Sequence, residues 1–279
     1  MFKNNFIIRN NFRYYSYNIL PRNWKLCNVC NVVLFVRKIK FNLNVCYNCG
    51  YHFRISARER IKFILDYNSH IELFDYIYPI DFLNFFDIEK YYIRLAKSQR
   101  DIGEIEALLV FKGKIKSIDV IVCVFEFDFI GGSMGNVVGS KFISAVNMCL
   151  KNKLPLICFS SSGGARMQES LLSLFQMSRV SNILSKMKFP YLSVIVNPCM
   201  GGVTASLAML GDINISEPRV LVGFTGPKVI KNTIRGRISN DFQCSESLLR
   251  RGFLDFIVTR KELKSKIYNV LDILRVTHI

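Results

Sequence analysis

Residues 154–170 read LPLICFSSSGGARMQES. Leu156, Ile157, Cys158 and Phe159 make a short apolar run of the length and composition of a buried strand. Three serines and the pair Gly163-Gly164 follow. Met167, Leu171, Leu174 and Phe175 then fall at helical spacing. The chain therefore passes from strand to helix through a glycine pair. Such a junction offers backbone N–H groups with no intrahelical partner, and the positive end of the helix dipole lies behind them. Glycine lets a ligand approach the main chain closely, because no Cβ stands in the way. The pattern predicts a place to hold an oxyanion.

A single strand–Gly-Gly–helix turn is a common connection, but here it recurs. Gly131, Gly132 and Gly135 follow the apolar run 118–127 and precede Val138, Phe142, Val146 and Leu150 at helical spacing. Gly201 and Gly202 follow the run 191–196 and precede the apolar segment 205–210. Three such junctions so close together exceed what turn chemistry requires.

A second pattern lies upstream. Cys27-x-x-Cys30 and Cys46-x-x-Cys49 are separated by fifteen residues, the spacing of two metal knuckles. Four thiolates form a closed tetrahedral zinc site with no open position, so the predicted role is structural. Residues 32–36 and 39–45 read as two short strands about the basic turn Arg37-Lys38, the outline of a zinc ribbon. So small a segment has little core of its own. Metal would supply most of its folding free energy, on the order of 10 kcal/mol. The five other cysteines lie singly in apolar or helical contexts, as reduced thiols do.

The net charge is +17. Ten Lys or Arg and no acidic residue precede Glu59. A basic surface favours polyanions, although the abundance of Phe, Ile, Asn, Lys and Tyr also reads as a codon bias. No secretory signal is visible. The uncharged stretch 189–211 has the length of a membrane span, but Asn197, Pro198 and Gly201-Gly202 at its centre exclude one. The expected location is a bacterial cytoplasm or a plastid stroma.

Three regions are expected: a basic N-terminus and ribbon (1–54), a helical connector (55–103) and an α/β domain (104–279). In the connector, Ser56 and Glu59 form a capping-box signature. Strands are predicted over 107–111 and 118–127 with a turn around Gly113, then over 156–159, 191–196, 221–224 and 254–258. Helices are predicted over 137–151, 167–187, 227–234, 245–251 and 261–274.

These residues resemble a known family. The four-cysteine ribbon, FDFIGGSMGNVVG, LICFSSSGGARMQES, PCMGGVTASLAMLGDI and GFTGPKVI are similar to the β subunit of the carboxyltransferase component of bacterial and plastid acetyl-CoA carboxylase. The likeness runs from about Trp24 to Ile257. It implies a crotonase-like spiral of β-β-α units. It also implies transfer of a carboxyl group from carboxybiotin, held on a carrier protein, to acetyl-CoA, giving malonyl-CoA for fatty-acid synthesis. The implied partners are a carboxyltransferase α subunit in an α2β2 assembly, the biotin carboxyl carrier protein and biotin carboxylase.

By the same resemblance, Gly163 and Gly164 hold a developing oxyanion, that of the biotin ureido group in this half-site. Gly201 and Gly202 line the acyl-CoA channel. Gly131, Gly132, Gly135, Ala165 and Arg166 shape the same cleft, and Cys27, Cys30, Cys46 and Cys49 hold zinc. Arg166 either anchors the loop or meets an acidic group. Lys228 and Arg219 are suggested by charge alone as holders of the CoA phosphates. The chemistry needs two oxyanion sites and no dedicated side-chain base, which suits a chain whose histidines are His52, His70 and His278. The second oxyanion site is expected from the α partner, so this chain alone is expected to be inactive. Three departures stand out: Asn197 where Asp is frequent, Asn31 where Gly is usual, and a 237–241 loop without Pro or Gly.

Rival readings are weaker. A hydratase or isomerase would use Glu126 and Glu169 as acid and base. A serine peptidase lacks a basic partner for its serine. A zinc-ribbon nucleic-acid-binding protein would use Tyr14, Tyr15 and Tyr17 among basic residues to stack bases. That binding also stands as a secondary property.

Overall fold

The computed structural model describes residues 21, 23–234, 239 and 241–276. Tyr14, Tyr15, Tyr17 and His278, the Lys228 side chain and positions 237, 238 and 240 lie outside the described residues. The chain forms two compact units, Met1–Phe53 and Arg54–Ile279.

In the first unit, β1 (Trp24–Leu26) pairs antiparallel with β2 (Val33–Phe35), placing Trp24 opposite Phe35. The strand expected over 39–45 is replaced by a helix, α1 (Val36–Phe41), which takes in Arg37 and Lys38. Ile39 turns into a small core with Leu34, Phe53, Cys27 and Cys46. Lys38 and Lys40 occupy the helix's last turn, where cations suit the dipole.

The second unit begins with α2 (Ala57–Ile64), closed at its start by the Ser56–Glu59 capping box. After it come β3 (Ile71–Leu73), α3 (Tyr91–Ile102), β4 (Leu108–Ile115) and β5 (Ile118–Phe125). The expected connector is therefore not wholly helical: β3 joins the sheet, antiparallel to β4. Residues 83–86 are not helical, and Phe85 N–H donates to Asp81 instead. The β4–β5 pairing runs unbroken to Ile115 opposite Ile118, so the turn is Lys116-Ser117 and not Gly113. Both turn residues have positive φ, 44° and 77°, as a two-residue hairpin of matching twist requires.

The chain continues through α4 (Asn136–Asn152), β6 (Leu156–Ser162), α5 (Leu171–Leu184), β7 (Tyr191–Met200), α6 (Gly201–Val203), β8 (Ile213–Ser216), β9 (Val222–Gly223), α7 (Pro227–Ile234), α8 (Ser245–Arg250), β10 (Phe256–Ile257) and α9 (Arg260–Val276). The eight-stranded sheet has the order β10-β8-β7-β6-β5-β4-β3, with β9 added at the end of β7. From β5 to β10 every pairing is parallel. Alternation sorts the core onto both faces. Ile121, Cys123, Leu156 and Cys158 pack with Phe142, Val146 and Val180 of α4 and α5. Val122, Val124, Ile157 and Phe159 pack with Ile61 and Ile64 of α2 and with Leu263 and Ile267 of α9. Continuous apolar strands are what a sheet covered on both sides demands. The architecture is the crotonase-like α/β spiral. No described helix is long and apolar enough to cross a membrane.

Candidate active site

β5, β6 and β7 are adjacent and parallel, so the three glycine junctions leave the sheet together at its C-terminal edge, where α/β folds place ligands. They interlock through the main chain. Gly163 N–H donates to the Gly131 carbonyl at 2.8 Å, Met134 N–H to that of Gly164 at 2.8 Å, and Arg166 N–H to that of Met134 at 2.9 Å. A Cβ on Gly132 would overlap the Ser161 carbonyl, and one on Gly135 the Glu169 carboxylate. From the third junction, Gly201 N–H donates to the Phe224 carbonyl at 3.0 Å. The junctions thus form one backbone-walled corner.

The Gly163-Gly164 pair does not present two bare amides, as the sequence suggested. Gly163 N–H is committed to Gly131, and Gly164 N–H meets the Ser162 hydroxyl at 3.0 Å. The open donor is the next one along. The parallel bridge between Met134 and Ala165 uses the amides on either side of Ala165. Among the described residues Ala165 N–H has no partner, and Ala165 is half-buried. Gly202 and Val203 follow Gly201 in the first turn of α6, which no side chain caps, so their N–H groups lack intrahelical partners.

Arg166 does not line the corner; it holds the loop from within. The side chain is fully buried and pairs with Glu106 through both terminal nitrogens. It also donates to the Ser133 hydroxyl and carbonyl at 3.0 and 2.8 Å, to Tyr91 Oη at 3.1 Å and to Glu169 at 3.4 Å. Burial opposes the guanidinium charge, but Glu106 more than offsets it and raises the pKa above the ordinary value. Both readings of Arg166 describe this geometry: it anchors the loop, and it does so by meeting the acidic groups Glu106 and Glu169. Glu106, Tyr91 and Ser133 carried no signal in the sequence.

The two carboxylates of the hydratase reading are tied up. Glu126 is buried and accepts from Ala57 N–H at 2.8 Å, at the start of α2. Glu169 is buried and accepts from Tyr91 Oη at 2.7 Å and from Asn136 N–H at 2.5 Å, at the start of α4. His70 packs against Phe111, away from the junctions. Asn197 Oδ1 accepts from Leu221 N–H at 3.1 Å, a bond an aspartate could equally accept. Arg219 is exposed, and Lys228 lies in α7.

In the first unit the four sulfurs of Cys27, Cys30, Cys46 and Cys49 lie within 4.8 Å of one another. Cys27–Cys49 measures 3.6 Å and Cys30–Cys46 3.9 Å. These distances bracket the ~3.8 Å edge of a tetrahedron with Zn–S bonds of ~2.3 Å, so the residues fit a zinc ion. The knuckles match: Asn31 N–H donates to the Cys27 carbonyl and Gly50 N–H to that of Cys46, each at 2.9 Å. Asn31 has a φ of 53°, the left-handed region that asparagine tolerates, so the departure from glycine is accommodated.

Residues 89–267 match the family model of the carboxyl transferase domain. The chain belongs to that family. Among solved structures it is similar to the transcarboxylase 12S core, with a TM-score of 0.67 at 23% identity over 84% of this chain and 43% of the other. The Pseudomonas malonate decarboxylase MdcD-MdcE hetero-dimer aligns with a TM-score of 0.62 at 20% identity, over 78% of this chain and 86% of the other. The P. aeruginosa geranyl-CoA carboxylase beta subunit aligns with a TM-score of 0.58 at 15% identity, over 78% and 39%. At these identities the likeness is one of fold, and this carboxyl transferase domain chain spans less than half the length of the transcarboxylase core.

Proposed function

We propose that this chain is the β subunit of an acetyl-CoA carboxylase carboxyltransferase. It would move a carboxyl group from carboxybiotin on a carrier protein to acetyl-CoA, forming malonyl-CoA in fatty-acid synthesis. The carrying observation is the fused corner with the open N–H of Ala165 at its centre. Main-chain donors fixed in a rigid corner stabilise developing negative charge without reorganising, and losing one typically costs about 10²–10³ in rate.

Carboxybiotin, when bound, supplies both the carboxyl group and the base. The residues of this chain hold and orient. Ala165 N–H faces an oxyanion, and the Ser162 hydroxyl can rotate to release Gly164 N–H as a second donor. Gly201 and Gly202, whose Cβ positions are taken up by Gly164 and Met177, let the third junction pack directly against the corner that an acyl thioester would approach. Glu126 and Glu169, occupied at helix starts, take no part in proton transfer, consistent with chemistry that needs no protein base.

An incomplete site fits the exposed apolar stripe of α5. Leu171, Leu174 and Phe175 are 62%, 51% and 57% exposed beside the junction, more than a solvated helix face normally carries. An α subunit covering that stripe would bring the second oxyanion site. The four-cysteine site, closed by thiolates, serves folding.

The test is reconstitution with the α subunit and an assay of malonyl-CoA decarboxylation with free biotin as carboxyl acceptor. Biotin-dependent turnover by the pair, and none by either chain alone, is expected. A well-folded pair that turns over malonyl-CoA without biotin, or not at all, would overturn the reading.

A further inference from the structure

The helical segment after β7 changes pitch part-way. Gly201–Val203 are α-helical, but Thr204–Ala208 continue as a π turn, in which each bond spans five residues; such turns are rare and frequent at functional sites. The foot of this turn is buried, with Leu207 and Ala208 both 0% exposed. Carbonyls at a helix end have no partner within the helix, and a buried carbonyl left unpaired is costly. β7 supplies the donors. The Tyr191 hydroxyl donates to the Leu207 carbonyl at 2.7 Å, and the Ser193 hydroxyl to that of Ala208 at 2.6 Å. Tyr191 and Ser193 stand two apart on the strand, so they project from one face of the sheet and meet successive carbonyls. Both are buried, and Tyr191 packs in the apolar layer that holds Phe142, Cys158 and Val203. Burial raises the pKa of the Tyr191 phenol, which keeps it a donor. Nearer the head of the segment, the Ser206 hydroxyl donates back to the Gly202 carbonyl at 2.7 Å. The head itself, Gly201, touches Gly164 backbone to backbone.

We propose that Tyr191 and Ser193 are positioning residues for the glycine corner. Their hydroxyls grip the foot of the π turn, and the turn sets how closely Gly201 is seated on Gly164, beside the open N–H of Ala165. The segment leaves β7 at Met200 and folds back to Tyr191 and Ser193 near the start of the same strand. Both of its ends are thus tied to one rigid element. Phenylalanine and alanine would fill the same apolar layer equally well, so the two hydroxyls are there for their bonds and not for packing. Without them two buried carbonyls lose their donors, and the wide turn is free to slip toward ordinary α pitch, shifting Gly201 against Gly164. The consequence for carboxyl transfer rests on the function proposed above; the consequence for the turn does not.

The experiment uses the full chain with Tyr191→Phe, Ser193→Ala and the two combined, which remove hydroxyls alone, and Ser216→Ala as control. Ser216 is an equally buried hydroxyl on β8 whose bonds go to the Glu217 and Ile195 carbonyls. Amide hydrogen exchange is read across residues 204–209 and across β6. In the double variant, exchange at 204–209 should accelerate by about tenfold or more while β6 is unchanged, because the opening is local. Each single variant should show a smaller acceleration, and Ser216→Ala should leave this segment at the wild-type rate. Unchanged exchange in the double variant overturns the proposal. So does acceleration shared equally with β6 or with Ser216→Ala, since the hydroxyls would then contribute only general stability. If the double variant does not fold, the single variants decide by the same comparison. In the reconstituted pair, kcat should fall by about tenfold in the double variant while KM holds, because seated donors act on developing charge; Ser216→Ala should keep both. A wild-type kcat in the double variant overturns the link to the corner. If the wild-type pair shows no transfer, the functional reading fails and the exchange result still stands.

Discussion

A Cβ placed on Gly201 would stand 3.1 Å from the Cα of Gly164, and one on Gly164 would stand 3.3 Å from the Cα of Gly201. Two loops from neighbouring strands thus touch backbone to backbone, with no space for a side chain between them. Both residues also have positive φ, 61° at Gly201 and 121° at Gly164, so a substitution meets strain as well as a neighbour.

Gly201→Ala and Gly164→Val are each expected to destabilise the chain by about 1–3 kcal/mol through strain alone, and to abolish transfer in the reconstituted pair. Gly163→Ala is the contrast. Its φ is not positive, and its Cβ would meet the Gly131 carbonyl oxygen at an ordinary 3.5 Å. Denaturant melts of the three variants test this ordering. A Gly163→Ala variant as unstable as Gly201→Ala would contradict the interlocked corner.

Arg166 and Glu106 are both fully buried. Removing one partner of such a pair leaves an uncompensated charge, typically a loss of about 3–5 kcal/mol, whereas removing both is far milder. Arg166→Met should therefore be severely destabilised, and Arg166→Met combined with Glu106→Leu should recover part of the loss. A double-mutant cycle on urea midpoints measures this; simple additivity would mean that the pair is not coupled.

Glu126 gives a pH signature. Burial raises its pKa above the ordinary value of 4.5, against the N–H groups of Ala57 and Asp128 that favour the ionised form. A carboxyl whose folded pKa is raised stabilises the fold below the unfolded value and loses that contribution as pH rises through the folded one. Glu126→Gln keeps an acceptor for Ala57 without the charge. Its Tm relative to wild type should therefore increase as pH is raised above about 4.5. A constant or falling difference would show that Glu126 is content as an anion.

The parts of this molecule legible in the sequence are those governed by local chemistry. The three junctions announce themselves because a paired-glycine turn after an apolar run, common by itself, recurs three times, and the cysteine knuckles do so by spacing. Gly113 misled because a glycine between strands reads as a turn. In the fold it lies within β4, where a Cβ would come within 2.7 Å of Leu65, while Lys116 and Ser117 make the turn. β8, with the sequence INIS, is too short and mixed to stand out. The Arg166 anchor was hidden for a different reason: its partners Glu106 and Tyr91 lie 60 and 75 residues away, and only the fold brings them together. For the same reason the open amide is that of Ala165, since the partner of Gly163 N–H is a carbonyl from another junction.

The cysteine cluster makes a separable prediction. Metal analysis of the purified chain should give one zinc per chain, lost in Cys46→Ser. Strong chelation should unfold the first unit, because its core of Leu34, Ile39 and Phe53 is small and structural zinc contributes folding free energy directly. The second unit, with cores on both faces of its sheet, should keep its helical circular dichroism. A chain that melts identically with and without chelator would remove the structural role.

The stripe on α5 tests the partner. Leu174 and Phe175 are more than half exposed, whereas Ser173, Gln176 and Val180 on the opposite side are buried, so the helix is held by one face and offers the other. Exposed apolar side chains contribute little to the stability of the free chain, and Leu174→Glu and Phe175→Glu should leave its Tm within about 1–2 °C of wild type. Placed at an interface, each introduces a charge into a desolvated surface and should weaken association with the α subunit by about tenfold or more. Sedimentation or titration calorimetry of the pair reads the affinity, and the decarboxylation assay should fall in parallel when subunits are dilute and recover when they are concentrated. Unchanged affinity in both variants would move the partner surface elsewhere on the chain; lost activity at saturating α subunit would instead place these side chains in the reaction itself.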